Sequence, residues 1–221
     1  MNALEQNLQD VGAKVMRMLS MVRESCDLAK QALIDADTNA AERCIDNDKA
    51  IDSLQAELDQ SILTVIARRQ PAARDLRFLG AMHLALNDIE RAGDYAEHIA
   101  RAGAELASTP PLKKYIDMER IFEVLSVMLQ RTIKAVAESS IEEAQLVLQM
   151  DDEIDDLYEQ IQRELLTYMM ENPKLIGQAT QLLSVGRYLE RLGDHIENVN
   201  EHIIFWVSGK RVGEHGSSNL N

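Results

Sequence analysis

The feature that most constrains this chain is an internal repeat. Residues 89–98 read IERAGDYAEH and residues 189–198 read LERLGDHIEN. The match sets Glu90 on Glu190, Arg91 on Arg191, Gly93 on Gly193, Asp94 on Asp194 and Glu97 on Glu197. Each copy sits in the middle of a helical pattern, where a glycine costs roughly 0.5–1 kcal/mol against alanine. A second pair of segments, DKAIDSL at 48–54 and DDEIDDL at 151–157, matches Asp48, Asp52 and Leu54 to Asp151, Asp155 and Leu157. A chain that carries an Asp-rich helix followed by a Glu/Asp-rich helix twice over is expected to fold as two like halves.

The halves are helical. Apolar residues recur at three-and-four spacing almost throughout, Ala, Leu, Glu and Gln are plentiful, and no alternating β-branched run marks a strand. The four prolines, Pro71, Pro110, Pro111 and Pro173, punctuate this pattern. We read helices over 3–35, 39–69, 71–107, 116–139, 141–171 and 173–208. The fold class is all-α, with six long helices in two tandem, similar three-helix bundles. A first bundle spans 1–107, a linker around Ser108–Lys114 spans 108–115, a second bundle spans 116–208, and a flexible Gly/Ser/Asn tail spans 209–221.

Composition narrows the function classes. There are 23 Lys and Arg against 37 Asp and Glu, a formal charge of −14, which argues against nucleic acid as a partner and against a polybasic membrane anchor. Cations are the natural small ligands. Cys26 and Cys44 have neither a CxxC spacing nor ligand neighbours and read as small core residues. The opening MNALEQNLQD carries acids where a secretory signal would be basic and then apolar, so a cytoplasmic protein is expected.

Acidic pairs four apart are common on solvated helix faces, so spacing alone says little. Registration says more. With a turn near residue 70, Asp48 and Asp52 lie about 20 residues before it and Glu90 and Asp94 about 22 after it, each ~30 Å along its helix. Around residue 172 the arithmetic repeats for Asp151, Asp155, Glu190 and Asp194. On the last helix Glu190, Asp194 and Glu197 form a row roughly 80–140° around from the apolar stripe of Leu189, Leu192, Ile196, Val199 and Ile203. On the Asp-rich helix, Asp48 and Asp52 flank the stripe of Ile51, Leu54, Leu58 and Ile62 in the same sense. The two rows either converge on one groove or diverge together, according to the hand of the bundle. Convergence would crowd four carboxylates, which hard or borderline cations neutralise. The bland reading is a solvated acidic stripe, with Arg91 and Arg191 as local ion-pair partners. Gly93 and Gly193 serve either close helix packing or room beside the carboxylates.

These residues, with ARRQPAARDLR at 67–77, LLTYMMEN at 165–172 and NEHIIFWVSGK at 200–210, resemble the PhoU family of phosphate-uptake regulators along almost the whole chain. The resemblance implies surface metal clusters held by pairs of (Glu/Asp)-x-x-x-Asp motifs. The first would use Asp48, Asp52, Glu90 and Asp94, and the second Asp151, Asp155, Glu190 and Asp194, with His98 and Asn198 at the margin. The metal would be iron, zinc, manganese or magnesium. The resemblance further implies a homodimer, contact with the ATP-binding subunit of the phosphate-specific ABC transporter and with a PhoR-type sensor histidine kinase, and a membrane role only through these partners. It implies negative regulation of phosphate-starvation genes by a protein that is not an enzyme.

Arg68, Arg69, Arg74 and Arg77 surround the first inter-helix turn, where the second half has only Lys174. They read as a solvated bundle tip or as a docking site for an acidic partner. The rival class is a ferritin-like carboxylate metalloenzyme, which uses Glu-x-x-His pairs inside a bundle. None of the five histidines has a Glu three residues before it, and no nucleophile–base set or phosphate loop is present. A metal-free helical scaffold is the third reading.

Overall fold

The structure, a computed structural model, describes residues 2–212. Among the described residues six α-helices follow in order: α1 (Ala3–Ile34), α2 (Thr38–Arg69), α3 (Ala73–Leu106), α4 (Ile116–Glu138), α5 (Ile141–Glu171) and α6 (Ile176–Ser208). No strand occurs among the described residues. Residues 213–221 of the expected flexible tail lie outside the described residues.

Local chemistry sets the helix ends. Asn2 and Glu5 form a reciprocal capping box on α1, Asp37 accepts from Asn39 and Ala40 at the start of α2, and Ser140 caps α5. Two starts fall later than expected. Pro71 and Ala72 stay outside α3 because Gln70 turns into the left-handed region, φ 48°, to end α2. Pro173–Leu175 forms a tight 3₁₀ turn, with the Asn172 side chain accepting from the Lys174 amide at 3.1 Å, before α6 begins.

Helices α1, α2 and α3 pack pairwise into one bundle, α4, α5 and α6 into the other. The stripes read from the sequence are the buried ones: Ile51, Leu54, Leu58 and Ile62 on α2, and Leu189, Leu192, Ile196, Val199 and Ile203 on α6. Both cysteines are buried and unpaired, and burial pushes both thiols up, that of Cys44 to about 12, which disfavours the nucleophilic thiolate.

The bundles join along α3 and α6, the most extensive helix pairing in the molecule, and along α1 and α4. The α3–α6 pair is antiparallel, since Arg77 reaches the Trp206 carbonyl while Tyr95 meets Tyr188. The tips of the two hairpins, at residues 70–72 and 172–175, therefore lie at opposite ends. The seam obeys the repeat. Asp88 accepts from Asn198 (3.2 Å) and pairs with His195 (2.9 Å), while the corresponding Tyr188 packs on His98 (5.3 Å) and Tyr95 (6.0 Å between ring centres). One half of the seam is thus polar and the other aromatic. Burial alone would raise the Asp88 carboxyl, but bonds from His195, His202 and Asn198 hold it well below the usual carboxylate range.

Candidate metal centres

The acidic rows converge. In the first bundle one oxygen from each of Asp48, Asp52 and Asp94 lies within 4.8 Å of the other two. Asp48 is the inner member. Burial, then the charges of Asp52, Asp94, Glu97 and Glu90, push its carboxyl up to about 6. Glu90 stands outside the tight triple but is also raised, by burial and then by Asp94.

In the second bundle Asp151 is the inner carboxylate, 8% exposed. Burial, then Glu197, Asp194, Asp155 and Glu190, push it up to about 7. Glu190, Asp155 and Glu197 are raised too, each first by burial. Among the described residues this set has no three oxygens as close as the first triple. It is the wider and the more acidic of the two.

The glycines serve both purposes considered from the sequence. A Cβ on Gly193 would stand 2.9 Å from Asp151 Oδ1 and 3.0 Å from Ile154 Cδ1. On Gly93 it would meet Ile51 Cδ1 at 3.2 Å and Asp48 Oδ1 at 3.6 Å. Each glycine lets the neighbouring helix approach and leaves room for the inner aspartate.

Local ion pairs are present as well. Arg91 Nη1 lies 3.3 Å from Asp94 Oδ2, and Arg191 Nη1 lies 2.9 Å from Asp194 Oδ2. They do not satisfy the inner oxygens. Asp48 Oδ1, Asp151 Oδ1 and Glu190 Oε2 are buried without a hydrogen-bond partner, although Glu190 Oε2 lies 3.3 Å from Arg191 Nε without hydrogen-bond alignment. Buried, unpartnered carboxylate oxygens facing further carboxylates fit hard or borderline cations. The residues that would hold them are Asp48, Asp52, Glu90 and Asp94 in one half and Asp151, Asp155, Glu190 and Asp194 in the other.

Two marginal candidates fall elsewhere. Asn198 binds Asp88 in the seam and His98 stacks near Tyr188, because four residues past each aspartate the helix has turned about 40° toward the other bundle. Two residues that no site assignment included adjoin the clusters instead. Glu97 and Glu197 stand one turn beyond Gly93 and Gly193, the positions that Asp48 Oδ1 and Asp151 Oδ1 lie against, and their match in the repeat is the signal.

At the first hairpin tip, Arg68, Arg69, Arg74 and Arg77 have no acidic group within ion-pairing distance among the described residues. Arg69 donates to Asn7 Oδ1 at 3.3 Å and Arg77 to the Trp206 carbonyl at 3.5 Å. Arg74 borders a groove of about 520 Å³ walled by Leu8, Met16, Phe78, Val136 and Trp206.

Residues 15–103 and 118–203 both match the family model described as the PhoU domain. The Deinococcus radiodurans phosphate-specific transport system accessory protein PhoU homolog is 43% identical over 209 residues, covering 95% of this chain and 98% of its own. The Escherichia coli phosphate-specific transport system accessory protein PhoU is 31% identical, covering 97% of this chain and 89% of its own. The crystal structure of PhoU from Pseudomonas aeruginosa matches with a TM-score of 0.90 at 33% identity, over 93% of this chain and 99% of that one. That of the phosphate transport system regulatory protein PhoU from Streptococcus pneumoniae gives 0.87 at 25% identity, over 95% and 99%. Two matched domains within one fold, and relatives alike from end to end, lead to one conclusion: the chain belongs to the PhoU family.

Proposed function

We propose that this protein is a cytoplasmic accessory regulator of phosphate-specific transport that turns over no substrate and keeps phosphate-starvation genes silent when phosphate is plentiful. The observation that carries this reading is the end-to-end likeness to relatives named as accessory proteins of that transport system. The physical form suits the task. Long bundles offer broad rigid faces, and a regulator needs only different affinities for two states of a partner. Its partners in this reading are the ATP-binding subunit of the phosphate ABC transporter, a PhoR-type sensor kinase and a second copy of the chain. The four arginines of the first hairpin tip supply positive charge for an acidic partner surface on a chain that is otherwise strongly acidic.

The carboxylate clusters hold iron, zinc, manganese or magnesium in this reading, supported by the buried, unpartnered oxygens of Asp48 and Asp151. Bound cations would neutralise the like charges that crowd each groove, so they act on the electrostatics of the bundle surface. Nothing in this role requires a reaction at the metal.

The test is a strain lacking the gene, grown in high phosphate. Expression of phosphate-starvation genes there, restored to silence by the intact gene, is the expected result. Silence in the deletion strain, in a genome with no second copy, overturns the regulatory reading. Loss of complementation on replacing the four tip arginines by glutamate, with helicity intact, would support the docking role.

A further inference from the structure

The two clusters differ at one position of the repeat. Residue 101 is Arg and residue 201 is Glu. Each stands one turn beyond Glu97 or Glu197, which in turn stands one turn beyond the glycine that the inner aspartate lies against, so each decides what that glutamate meets. In the first bundle the Arg101 guanidinium Nε pairs with Glu97 Oε1, and the Glu97 side chain is only 11% exposed. In the second bundle no cation takes that place. Glu197 makes no ion pair among the described residues, and its largest charge neighbours are Glu201 and Asp194. It also stands one turn beyond Gly193, where a Cβ would lie 2.9 Å from Asp151 Oδ1, and that buried oxygen has no partner.

The geometry points to Glu197 as a metal ligand of the second cluster, and to Arg101 as a built-in cation that withholds the equivalent Glu97 from the first. This inference rests on the metal-binding reading above and goes beyond it, because it makes the two sites unequal through residues outside the paired Asp and Glu motifs. A carboxylate already bonded to a guanidinium must give up a charge-assisted hydrogen bond before it can ligate a cation, and the cation must then approach a fixed positive charge. Glu197 meets neither obstacle. Its negative neighbours raise the gain from binding a cation there.

The test uses full-length protein purified without metal resin and stripped with a chelator. Titration with Mn²⁺ alone is read by calorimetry and by metal content after dialysis. Each site is isolated by removing the other, with Asp155→Asn and Asp194→Asn leaving the first, and Asp52→Asn and Asp94→Asn leaving the second. Glu197→Gln should weaken the second site about tenfold or more, whereas Glu97→Gln should change the first by less than about threefold. Arg101→Gln should strengthen the first site, and only in that background should Glu97→Gln cost about tenfold. This gain of affinity is a result that misfolding cannot imitate. Equal losses from Glu97→Gln and Glu197→Gln, or an Arg101→Gln variant with unchanged affinity, overturn the inference while leaving the metal reading in place. Absence of Mn²⁺ binding at both isolated sites overturns the metal reading itself, and this inference with it.

Discussion

Gly193 leaves open the space that the Asp151 carboxylate uses, since a Cβ at this position would stand 2.9 Å from Asp151 Oδ1. The other close atom, Ile154 Cδ1 at 3.0 Å, is also the far end of a side chain. Gly193→Ala should therefore displace the carboxylate rather than the helix. The gain in helix propensity, up to about 1 kcal/mol, should offset much of the crowding, so metal-free thermal stability should change little. Mn²⁺ affinity of the second site should fall about tenfold. A large fall in Tm with unchanged affinity would show that the glycine serves packing alone. Gly93→Ala, with its oxygen contact at 3.6 Å, should give a smaller loss at the first site.

Gly103 supplies the contrast. A Cβ there would lie 2.7 Å from the carbonyl carbon of Ala32 and 2.8 Å from the amide nitrogen of Leu33. Both atoms are backbone, and neither can move unless α1 and α3 separate. Gly103→Ala should destabilise the fold by about 1–3 kcal/mol or more, read by urea unfolding, while Mn²⁺ binding at the second site stays as it was. Wild-type stability in this variant would mean that α1 and α3 can separate at this crossing without cost.

The bond network around Asp88 should hold the bundles together. Its Oδ1 meets His195 at 2.9 Å and its Oδ2 meets His202 at 3.3 Å, in a site where the Asp88 side chain is 18% exposed. Asp88→Asn should cost about 1–3 kcal/mol near neutral pH. The carboxyl is held below its ordinary value, so its contribution is present above about pH 4 and is lost as the pH falls toward the folded-state value. The stability difference between wild type and Asp88→Asn should shrink in acid. A constant difference down to pH 3 would assign the effect to shape rather than charge.

The legible and illegible parts of this molecule divide along physical lines. Helices were legible because apolar periodicity and four prolines act within a few residues of one another. The facing of Asp48 with Asp94 was legible as a register, because the distance from a tight turn sets height along a hairpin. Convergence was not, since it depends on the hand in which three helices wind. His98 and Asn198, marginal to the clusters in the sequence, fall in the seam because about 40° of helix rotation separates it from the cluster. The seam itself, Asp88 with His195 and His202, depends on which faces of α3 and α6 meet, and no local pattern specifies that. The exchange of Arg101 for Glu201 stood in the repeat throughout. Its meaning depends on packing, which sets Glu97 and Glu197 one turn beyond the glycines that the inner aspartates lie against.

The inner aspartates should make metal-free stability fall as pH rises. Burial and like charges lift Asp48 to about 6 and Asp151 to about 7, whereas an unfolded chain titrates these groups near the ordinary value of about 4. Between those values the folded state holds protons that the unfolded state has released. The stabilisation is complete below about pH 4 and is lost as pH climbs through about 6 for Asp48 and about 7 for Asp151, the reverse of the Asp88 dependence. Asp151 faces Glu197, Asp194, Asp155 and Glu190, so its ionisation adds a charge where nearby carboxylates already repel it. Asp151→Asn removes that charge with little change of shape. In chelator-treated protein at pH 8 it should raise Tm on the order of 2–4 °C, the response to about 1 kcal/mol in a chain of this size, and it should give no gain at pH 4. Mn²⁺ should raise the Tm of the wild type at pH 8 and much less at pH 5, because a cation stabilises the ionised cluster and competes with protons for it. A Tm for metal-free wild type that keeps rising from pH 5 to pH 8, with Asp151→Asn always the less stable, would show that the carboxylate is a structural hydrogen-bond acceptor and not a charge awaiting a cation.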